Sequence, residues 1–566
     1  MRKTGWVVFV LGVVAAFVAA WNGLHNPFLL DDLTKIVGNT DIRLLANLRE
    51  KLIYPYHAYQ VLQRNDPSRP VVYLLYTLVY AWKELDPFYY HLLSVVVHGI
   101  AVGCAYVLAG RWLKDRKWAL MVAGLFAWAP MQMGTVMYNY GLSDVLSAMT
   151  LLVAVEMYSR AESLTLARLL GSLVFFVFSL GCKQSAVVLP ALLILVDYFQ
   201  RQRWAWRQTL PYWIVALGYL VFRYAYFGGL GDLESYAQSH RVWDYVTCEP
   251  WVWVQYLWKA FLPWKLSIDH YLMPFHLSLG ERVLGFGILG ALFGSLVWLW
   301  KRAPVPWVRS VTLGLLWYAI CLAPTSSFVP TVDLMVDRRV YLANFGLYFA
   351  AAALASRWVV FSKQKWAAGV FALLGLALLT VDWSQNQSAH TAESAWREVL
   401  NLYPTSQRGL NSLSAILLGQ GKFDEAENIF KETLRLYPND HVAAENYGSL
   451  LGADENPHRD LDRSLQMFQL SGQINPFVAE TFYNIGRILQ MKNLPNDAVP
   501  YYEKTLQLKP SFYPALNNIG TILLAQEKFD EARKYFLEAL KLEPSYAPAQ
   551  KNLDLLNQIS LSKKAH

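Results

Sequence analysis

Two adjacent acids, Asp31 and Asp32, and two adjacent arginines, Arg338 and Arg339, stand out in a chain otherwise poor in charge. They lie in HNPFLLDDLTKIVGN and PTSSFVPTVDLMVDRRVYL, polar stretches between long apolar runs, where a charged side chain needs a reason. Neighbouring residues of an extended segment point to opposite sides, so Asp31 and Asp32 cannot form the facing carboxylate pair of a retaining glycosidase. The spacing allows one general base with one supporting acid, and a positioned base contributes a rate factor of roughly 10² to 10⁴. A solvated turn or a helix cap is the bland alternative. The cations suggest a complement, because a guanidinium fork can hold two phosphate oxygens at once. Arg69, just ahead of Pro70, and Lys183, in CKQSAVVLP, stand at comparable span ends. Snorkelling of long side chains to a membrane interface would put cations there as well.

Such residues work together only if the elements around them bring them to one place. The chain has 566 residues, of which 55% are apolar, 16% charged and 15% aromatic, a membrane composition. Of its 22 tryptophans only Trp396 lies beyond residue 388, as expected if bilayer interfaces recruit amphipathic rings. Eleven apolar stretches are long enough to be read as spans of a hydrocarbon core roughly 30 Å thick. They cover 6–21, 88–110, 118–133, 142–158, 166–182, 185–199, 210–227, 282–300, 307–324, 339–357 and 366–382. The first, behind Arg2 and Lys3, is read as an uncleaved anchor, although a signal peptide starts in the same way. The aromatic stretch 250–264 is short and carries Lys259, so it is placed flat at the outer interface. Cys104, Cys182, Cys248 and Cys321 form neither a disulfide framework nor a C-x-x-C pair and are expected to pack.

Basic residues orient the spans. The connections 1–5, 111–117, 159–168, 200–207, 301–309 and 356–365 hold 17 Lys and Arg against Asp115 and Glu162, and are assigned to the cytosol. Residues 389–566 have 18 basic and 21 acidic side chains, so the net +8 of the chain arises in the apolar part. The basic loops account for it, and a nucleic-acid partner loses its motivation. An odd number of spans puts the N-terminus in the cytosol and the tail outside, with every candidate acid and cation on the outer side. The membrane would be a bacterial inner membrane or one of the endoplasmic-reticulum type.

The tail repeats. Prolines recur at Pro404, Pro438, Pro476, Pro510 and Pro544, at spacings of 34, 38, 34 and 34. Gly486, Ala498, Tyr502 and Pro510, then Gly520, Ala532, Phe536, Ala539 and Pro544, follow the tetratricopeptide pattern. Small residues let the two helices of a repeat approach, the aromatic fills the hole between neighbours and Pro ends the second helix. An earlier unit shows Ala426, Phe430 and Pro438; the next has Gly448, Phe468 and Pro476, with four extra residues near GADENPHRD. Residues 389–404 read as the second helix of a further repeat whose first helix is the last span, and 547–560 as a capping helix. The expected fold is therefore all-α, a polytopic membrane domain over 1–388 and a repeat solenoid over 389–566. A docking surface is the plain use of such repeats.

Taken in order, the first-loop acids, Arg69-Pro70, YNYGLSD, CKQSAVVLP, LPWKLSIDHY, the segment ending in DRRVYL and the repeat tail resemble the multispan lipid-sugar transferases of the GT-C architecture. They are most similar to the transmembrane and tetratricopeptide-repeat O-mannosyltransferases and their bacterial relatives. The resemblance covers nearly the whole chain. It implies inverting transfer of a sugar from a polyprenyl phosphate to a hydroxyl of a protein acceptor on the outer face of the membrane. It assigns Asp31 as general base and Asp32 as its support, and it matches Arg69, Arg338 or Arg339, and Tyr341 to the groups expected at the donor phosphate; Lys183 is a further candidate. Where the family commonly has His-Pro-x-His-x-Glu, this chain reads Ala129, Pro130, Met131, Gln132, Met133 and Gly134; where relatives have Lys-Glu-Ser-Ala, it has Lys183, Gln184, Ser185 and Ala186. The missing acids put any divalent-metal site in doubt without excluding one, and no cofactor is assigned. They also support a second reading, a catalytically silent membrane scaffold for an envelope or pilus-type assembly.

Two further motifs are set aside. GFGILG at 285–290 imitates a nucleotide-binding loop, but it lies inside an apolar span with no strand before it and reads as small residues for helix contact. Asn386-Gln387-Ser388 fits a glycosylation acceptor, which has meaning only in a eukaryotic source. His91 and His98, seven apart on one helical face, are expected to be packed or hydrogen-bonded.

Overall fold

The computed structural model describes residues 2–43, 68–160, 165–202, 206–229, 242–263, 265–272, 277–302, 305–326, 333–359 and 366–565. Glu162, Arg203, Lys363 and Lys365 of the basic connections lie outside them. Among the described residues the structure is helical without strands, and the chain divides into two compact units, Met1–Glu398 and Val399–His566.

The first unit contains α1 (Arg2–Ala20), α2 (Pro70–Lys83), α3 (Pro87–Leu113), α4 (Arg116–Trp128), α5 (Pro130–Val136), α6 (Leu142–Ser159), α7 (Leu166–Leu180), α8 (Leu189–Arg201), α9 (Trp206–Phe227), α10 (Val242–Lys259), α11 (Leu279–Arg302), α12 (Pro306–Leu322), α13 (Tyr341–Ala355) and α14 (Trp366–Ser388). α15 (Ala392–Leu402) carries the boundary between the units. All eleven apolar stretches contain helix, as a polytopic membrane domain requires, and they differ in length. By length and hydropathy, among the described residues, Pro87–Leu113, Asn139–Ser159, Leu279–Arg302 and Trp366–Ser388 can cross a membrane, and a fifth if α4 and α5 act as one bent span.

The shorter helices have local causes. Pro130 cannot continue the backbone bonding of α4, and the two helices meet at 51°. α8 has 13 residues and α13 has 15, about 20 and 22 Å at 1.5 Å per residue, and each is preceded by a tight turn over part of its expected span. Several apolar helices together with a charge-poor exterior make this an integral membrane protein. Residues 250–259 are the end of a longer helix, α10, whose stripe Tyr245, Cys248, Val252 and Tyr256 is buried while Trp243 and Trp258 are exposed.

Close packing in this unit depends on glycine at two crossings. A Cβ on Gly314 of α12 would run into the Gly346 carbonyl of α13, and one on Gly12 of α1 would come within 2.6 Å of the Gly99 carbonyl of α3. In a bilayer, where apolar surface gains nothing by leaving lipid, such contact is what holds helices together. The cysteines are free and buried. His91 Nε2–H donates to the Asn26 carbonyl at 3.1 Å, and His98 lies 2.5 Å from the Tyr341 hydroxyl, so both histidines are structural. In the GFGILG stretch, Gly285 meets the α10 backbone closely, with a Cβ 2.6 Å from the Trp251 nitrogen. The Asn386 amide is buried and donates to the Ala19 carbonyl at 3.3 Å and the Asn22 side chain at 3.0 Å, so this motif is engaged in packing.

The second unit stacks antiparallel pairs: α16 (Gln407–Gly419) with α17 (Phe423–Leu436), α18 (His441–Gly452) with α19 (Leu461–Ile474), α20 (Ala479–Met491) with α21 (Pro495–Leu508), and α22 (Tyr513–Ala525) with α23 (Phe529–Leu542), closed by α24 (Ala547–Ala565). The expected glycine and aromatic partners meet. A Cβ on Gly486 would come 2.6 Å from the Tyr502 ring, and one on Gly520 2.7 Å from Phe536. The four extra residues lengthen the α18–α19 connection, where Asn456 donates to the Leu450 carbonyl at 2.9 Å and Asp460 caps α19.

Candidate active site

The two acids of the first loop divide their work. Asp32 is 1% exposed. It accepts from the Tyr140 backbone N–H at 2.8 Å, the Asn139 amide at 3.2 Å and the Leu29 N–H at 3.3 Å. Burial pushes its carboxyl up to about 7, against the pull of those hydrogen bonds. The Asp31 side chain is 40% exposed. The Tyr138 hydroxyl donates to its Oδ2 at 2.7 Å while the Asp31 backbone N–H donates to the same hydroxyl at 3.2 Å. An Arg338 Nη2 stands 3.9 Å from that carboxylate oxygen. One acid therefore ties the loop to the turn before α6, and the other presents an oxygen beside a cation.

The turn 138–141 is the seat of the arrangement. Tyr138 lies beneath the Arg338 guanidinium at 5.5 Å and Tyr140 beneath that of Arg69 at 5.0 Å, cation–π geometry for both. Asn139 between them holds Asp32, and its carbonyl accepts from the Tyr76 hydroxyl at 2.8 Å. Gly141 closes the turn so tightly that a Cβ would strike the Thr135 carbonyl.

Lys183, in the turn between α7 and α8, is buried and paired with Asp144, which opens α6. Burial pulls its ammonium down to about 8; Asp144 opposes this, and the charges of Arg69 and Arg338 add to it. Three cations thus lie within electrostatic reach of one another at the end of the bundle that carries Asp31. A positive patch beside an accessible carboxylate can hold an anionic leaving group next to a proton acceptor.

Of the residues singled out in the sequence, Asp31, Asp32, Arg69, Lys183 and Arg338 come together; Arg339 and Tyr341 do not join them. Arg339 turns the other way, donating to the Leu334 carbonyl at 2.9 Å and the Asp333 carbonyl at 2.5 Å, with Glu249, Tyr245 and Tyr256 around its charge. Tyr341 is 1% exposed and its hydroxyl is taken by His98. Tyr138, Asn139, Tyr140 and Asp144 went unassigned in the sequence, although YNYGLSD is one of the polar segments between apolar runs. Their partners lie 107 residues away in the Asp31 loop and 39 away at Lys183, distances that local spacing does not report.

The segment that departs from the family pattern serves structure. Gln132 donates to the Tyr341 carbonyl at 3.0 Å and accepts from Asn344 at 3.3 Å. Among the described residues no group of three His, Cys, Asp or Glu is placed to hold a metal ion.

Comparison with known proteins supports the resemblance read from the motifs. Tetratricopeptide-repeat models match residues 408–437, 479–512 and 513–546. Protein O-mannosyl-transferase TMTC3 of Mus musculus is 26% identical over 211 residues, 36% of this chain and 22% of that protein. Protein O-mannosyl-transferase TMTC1 of Homo sapiens is 22% identical over 487 residues, 75% of this chain and 55% of that protein. Protein O-mannosyl-transferase F38B6.6 of Caenorhabditis elegans is 23% identical over 438 residues, 73% of this chain and 60% of that protein. The chain thus spans between about a fifth and three fifths of the length of these relatives. Among solved structures, MamA is 27% identical over 28% of this chain and 89% of its own, with a TM-score of 0.25. Pseudomonas aeruginosa PilF is 18% identical over 36% of this chain and 88% of its own, with a TM-score of 0.28.

Proposed function

We propose that this chain is a membrane glycosyltransferase that moves a sugar from a polyprenyl-phosphate donor to a hydroxyl of a protein acceptor, with inversion, on the face of the membrane opposite the cytosol. The carrying observation is the exposed Asp31 carboxylate, oriented by Tyr138 and standing beside Arg338 within a patch that also holds Arg69 and Lys183. The relatives named as protein O-mannosyl-transferases support the reaction class. Asp31 takes the proton of the acceptor hydroxyl as that oxygen bonds to the anomeric carbon. The bond from the sugar to the phosphate breaks on the opposite face, and its electron pair leaves on the phosphate oxygen, held by Arg338 with Lys183 and Arg69 behind it. Asp32 is a positioning residue, since its carboxylate is spent on three protein donors.

The basic connections support a cytosolic N-terminus. The end of α14 lies beside the first loop, where Asn26 donates to the Asn386 carbonyl at 2.9 Å. That connectivity supports repeats in the acceptor's compartment, where they would dock the acceptor protein. A silent scaffold is favoured by Gln132 and Gly134 where relatives carry the second histidine and the acid.

The deciding experiment uses membranes containing the full chain, a radiolabelled polyprenyl-phosphate sugar and a hydroxyl-bearing acceptor protein. Asp31→Asn is expected to lower transfer by roughly 10² to 10⁴ while its protease resistance stays that of the parent. Transfer at the parent rate would remove the base, and no transfer by the parent chain with any such donor would leave the scaffold.

A further inference from the structure

A cavity of about 450 Å³ lies between α8, α12 and the half of α11 that ends at Lys301, lined among others by Ile194, Tyr198, Val297, Trp300, Leu316 and Lys301. Its walls are hydrocarbon and aromatic. Thr312, also in the wall, has its hydroxyl occupied by the Val308 carbonyl at 2.8 Å, so even this group presents little polarity. The volume falls within the range of small-ligand sites, roughly 300 to 1,000 Å³, and an interior this apolar suits a hydrocarbon chain. α11 itself is apolar and exposed along nearly its whole length, with Val283, Phe286 and Trp298 on its outside, so the cavity is a gap beside a lipid-facing helix.

Charge tells what enters it. Lys301 is the charged residue of the lining, and Arg302 follows it, exposed, with its guanidinium over the Trp298 ring at 4.8 Å. Along α12 the stripe Thr312, Leu316 and Ile320 faces the cavity, and one turn before it on the same face stands Arg309, whose buried Nε has no hydrogen-bond partner among the described residues. Asp197, the acid of α8, is already bonded by Arg201 at 2.8 Å and by the Tyr158 hydroxyl at 2.5 Å. An apolar slot with uncompensated cations at one end matches an acyl chain below an anionic headgroup. A donor at the candidate active site is a poorer match. α12 runs from Pro306 at this end to Leu322 toward the other, 17 residues or about 25 Å, so a phosphate at Lys301 lies across the bundle from Arg338.

We propose that this cavity holds one acyl chain of an anionic phospholipid whose phosphate is bound by Lys301 and Arg309, at the end of the bundle away from Asp31. This does not depend on sugar transfer, because it needs only the chain in a membrane.

The test uses the full chain in detergent with phosphatidylglycerol or phosphatidylcholine carrying a photoactivatable group on one acyl chain, the crosslinks being mapped by peptide mass spectrometry. Phosphatidylglycerol is expected to label the facing stretches of α8, α11 and α12, and to do so about fivefold more than phosphatidylcholine for each basic contact. Lys301→Gln with Arg309→Gln should abolish that preference and leave background labelling of exposed α14 unchanged. Lys301→Gln alone, at an exposed helix end, keeps the test valid if the double substitution misfolds. Equal labelling by the two lipids, or labels no denser here than on α14, overturns the proposal. So does displacement of phosphatidylglycerol from the cavity by an equal amount of polyprenyl phosphate.

Discussion

Replacing Asp32 by Asn should stabilise the protein above neutral pH and destabilise it below about pH 5. Raising a buried carboxyl from the ordinary value near 4 to about 7 makes its ionised form cost roughly 4 kcal/mol in the folded state. The sign follows from proton counts. Between about pH 4 and 7 the folded chain keeps a proton on Asp32 that the unfolded chain has lost, so stability contributed by this group falls as pH rises through that window and stays low above it. Asparagine carries no charge to bury and removes that cost. It also places an amide N–H₂ where one oxygen was. If its oxygen faces Asn139 and Leu29, the Tyr140 N–H meets a donor and loses its 2.8 Å bond, about 1 to 3 kcal/mol. The balance is about 1 to 3 kcal/mol of gain at pH 8 and a loss of similar size at pH 4.5, where the wild-type carboxyl is already neutral. Thermal unfolding of detergent-solubilised wild type and Asp32→Asn across pH 4.5 to 8.5 should give curves that cross. Transfer activity at pH 7 should fall by no more than about tenfold, as for a residue that only positions its neighbour. A variant less stable than wild type by the same amount at every pH would refute the argument, since it would mean that the three hydrogen bonds outweigh burial and that Asp32 is ionised throughout.

Lys183 titrates near 8, so if its ammonium holds donor phosphate the KM for the donor should rise as pH goes from 7 to 9, and Lys183→Gln should flatten that dependence. Lys183→Met by itself strands the buried Asp144 carboxylate and should cost about 3 to 5 kcal/mol in thermal unfolding; adding Asp144→Leu should restore most of it. Gly486→Ala drives a Cβ to 2.6 Å from the Tyr502 ring and should destabilise the repeats by about 1 to 3 kcal/mol, read as earlier protease cleavage within residues 399–566, with the first unit unaffected.

The repeats were legible because their determinants are local. Gly486 and Tyr502 are 16 residues apart and meet whenever two helices form and fold back, so the spacing of small, aromatic and proline residues carries most of the structure. The membrane unit was legible in composition but less so in its spans. Hydropathy reports that a segment prefers lipid, whereas the length of a crossing helix also depends on where backbone bonding stops, as at Pro130 and in the tight turns ahead of α8 and α13. At the site, charge in an apolar chain was enough to single out Asp31, Arg69, Lys183 and Arg338. It could not reveal Tyr138 or Asn139, because an uncharged hydroxyl or amide in a polar turn is ordinary until its partner is known. Tyr341 was put forward by the resemblance rather than by charge, and its hydroxyl instead satisfies a buried histidine inside the bundle, an alternative that sequence spacing does not register.

The doubled residues share a logic. Asp31 and Asp32 open a helical turn rather than the extended segment expected from the sequence, and they diverge because successive residues of a helix leave about 100° apart; Arg338 and Arg339 do the same in the tight turn before α13. In each pair one member is consumed by the protein: Asp32 by two donors from the 138–141 turn and one from its own loop, Arg339 by two carbonyls of the segment that leads into its turn. The other member stands at the site, and these two half-buried partners face each other across 3.9 Å. A loop in a membrane protein has few apolar contacts to fix it at the water interface, so a charge that must be held in place there needs an anchor close by in sequence. Placing the anchor on the adjacent residue leaves no flexible backbone between them. On this argument the information in a doubled charge is the division of labour, and which member reacts is decided by which one the surrounding donors and carbonyls leave uncovered.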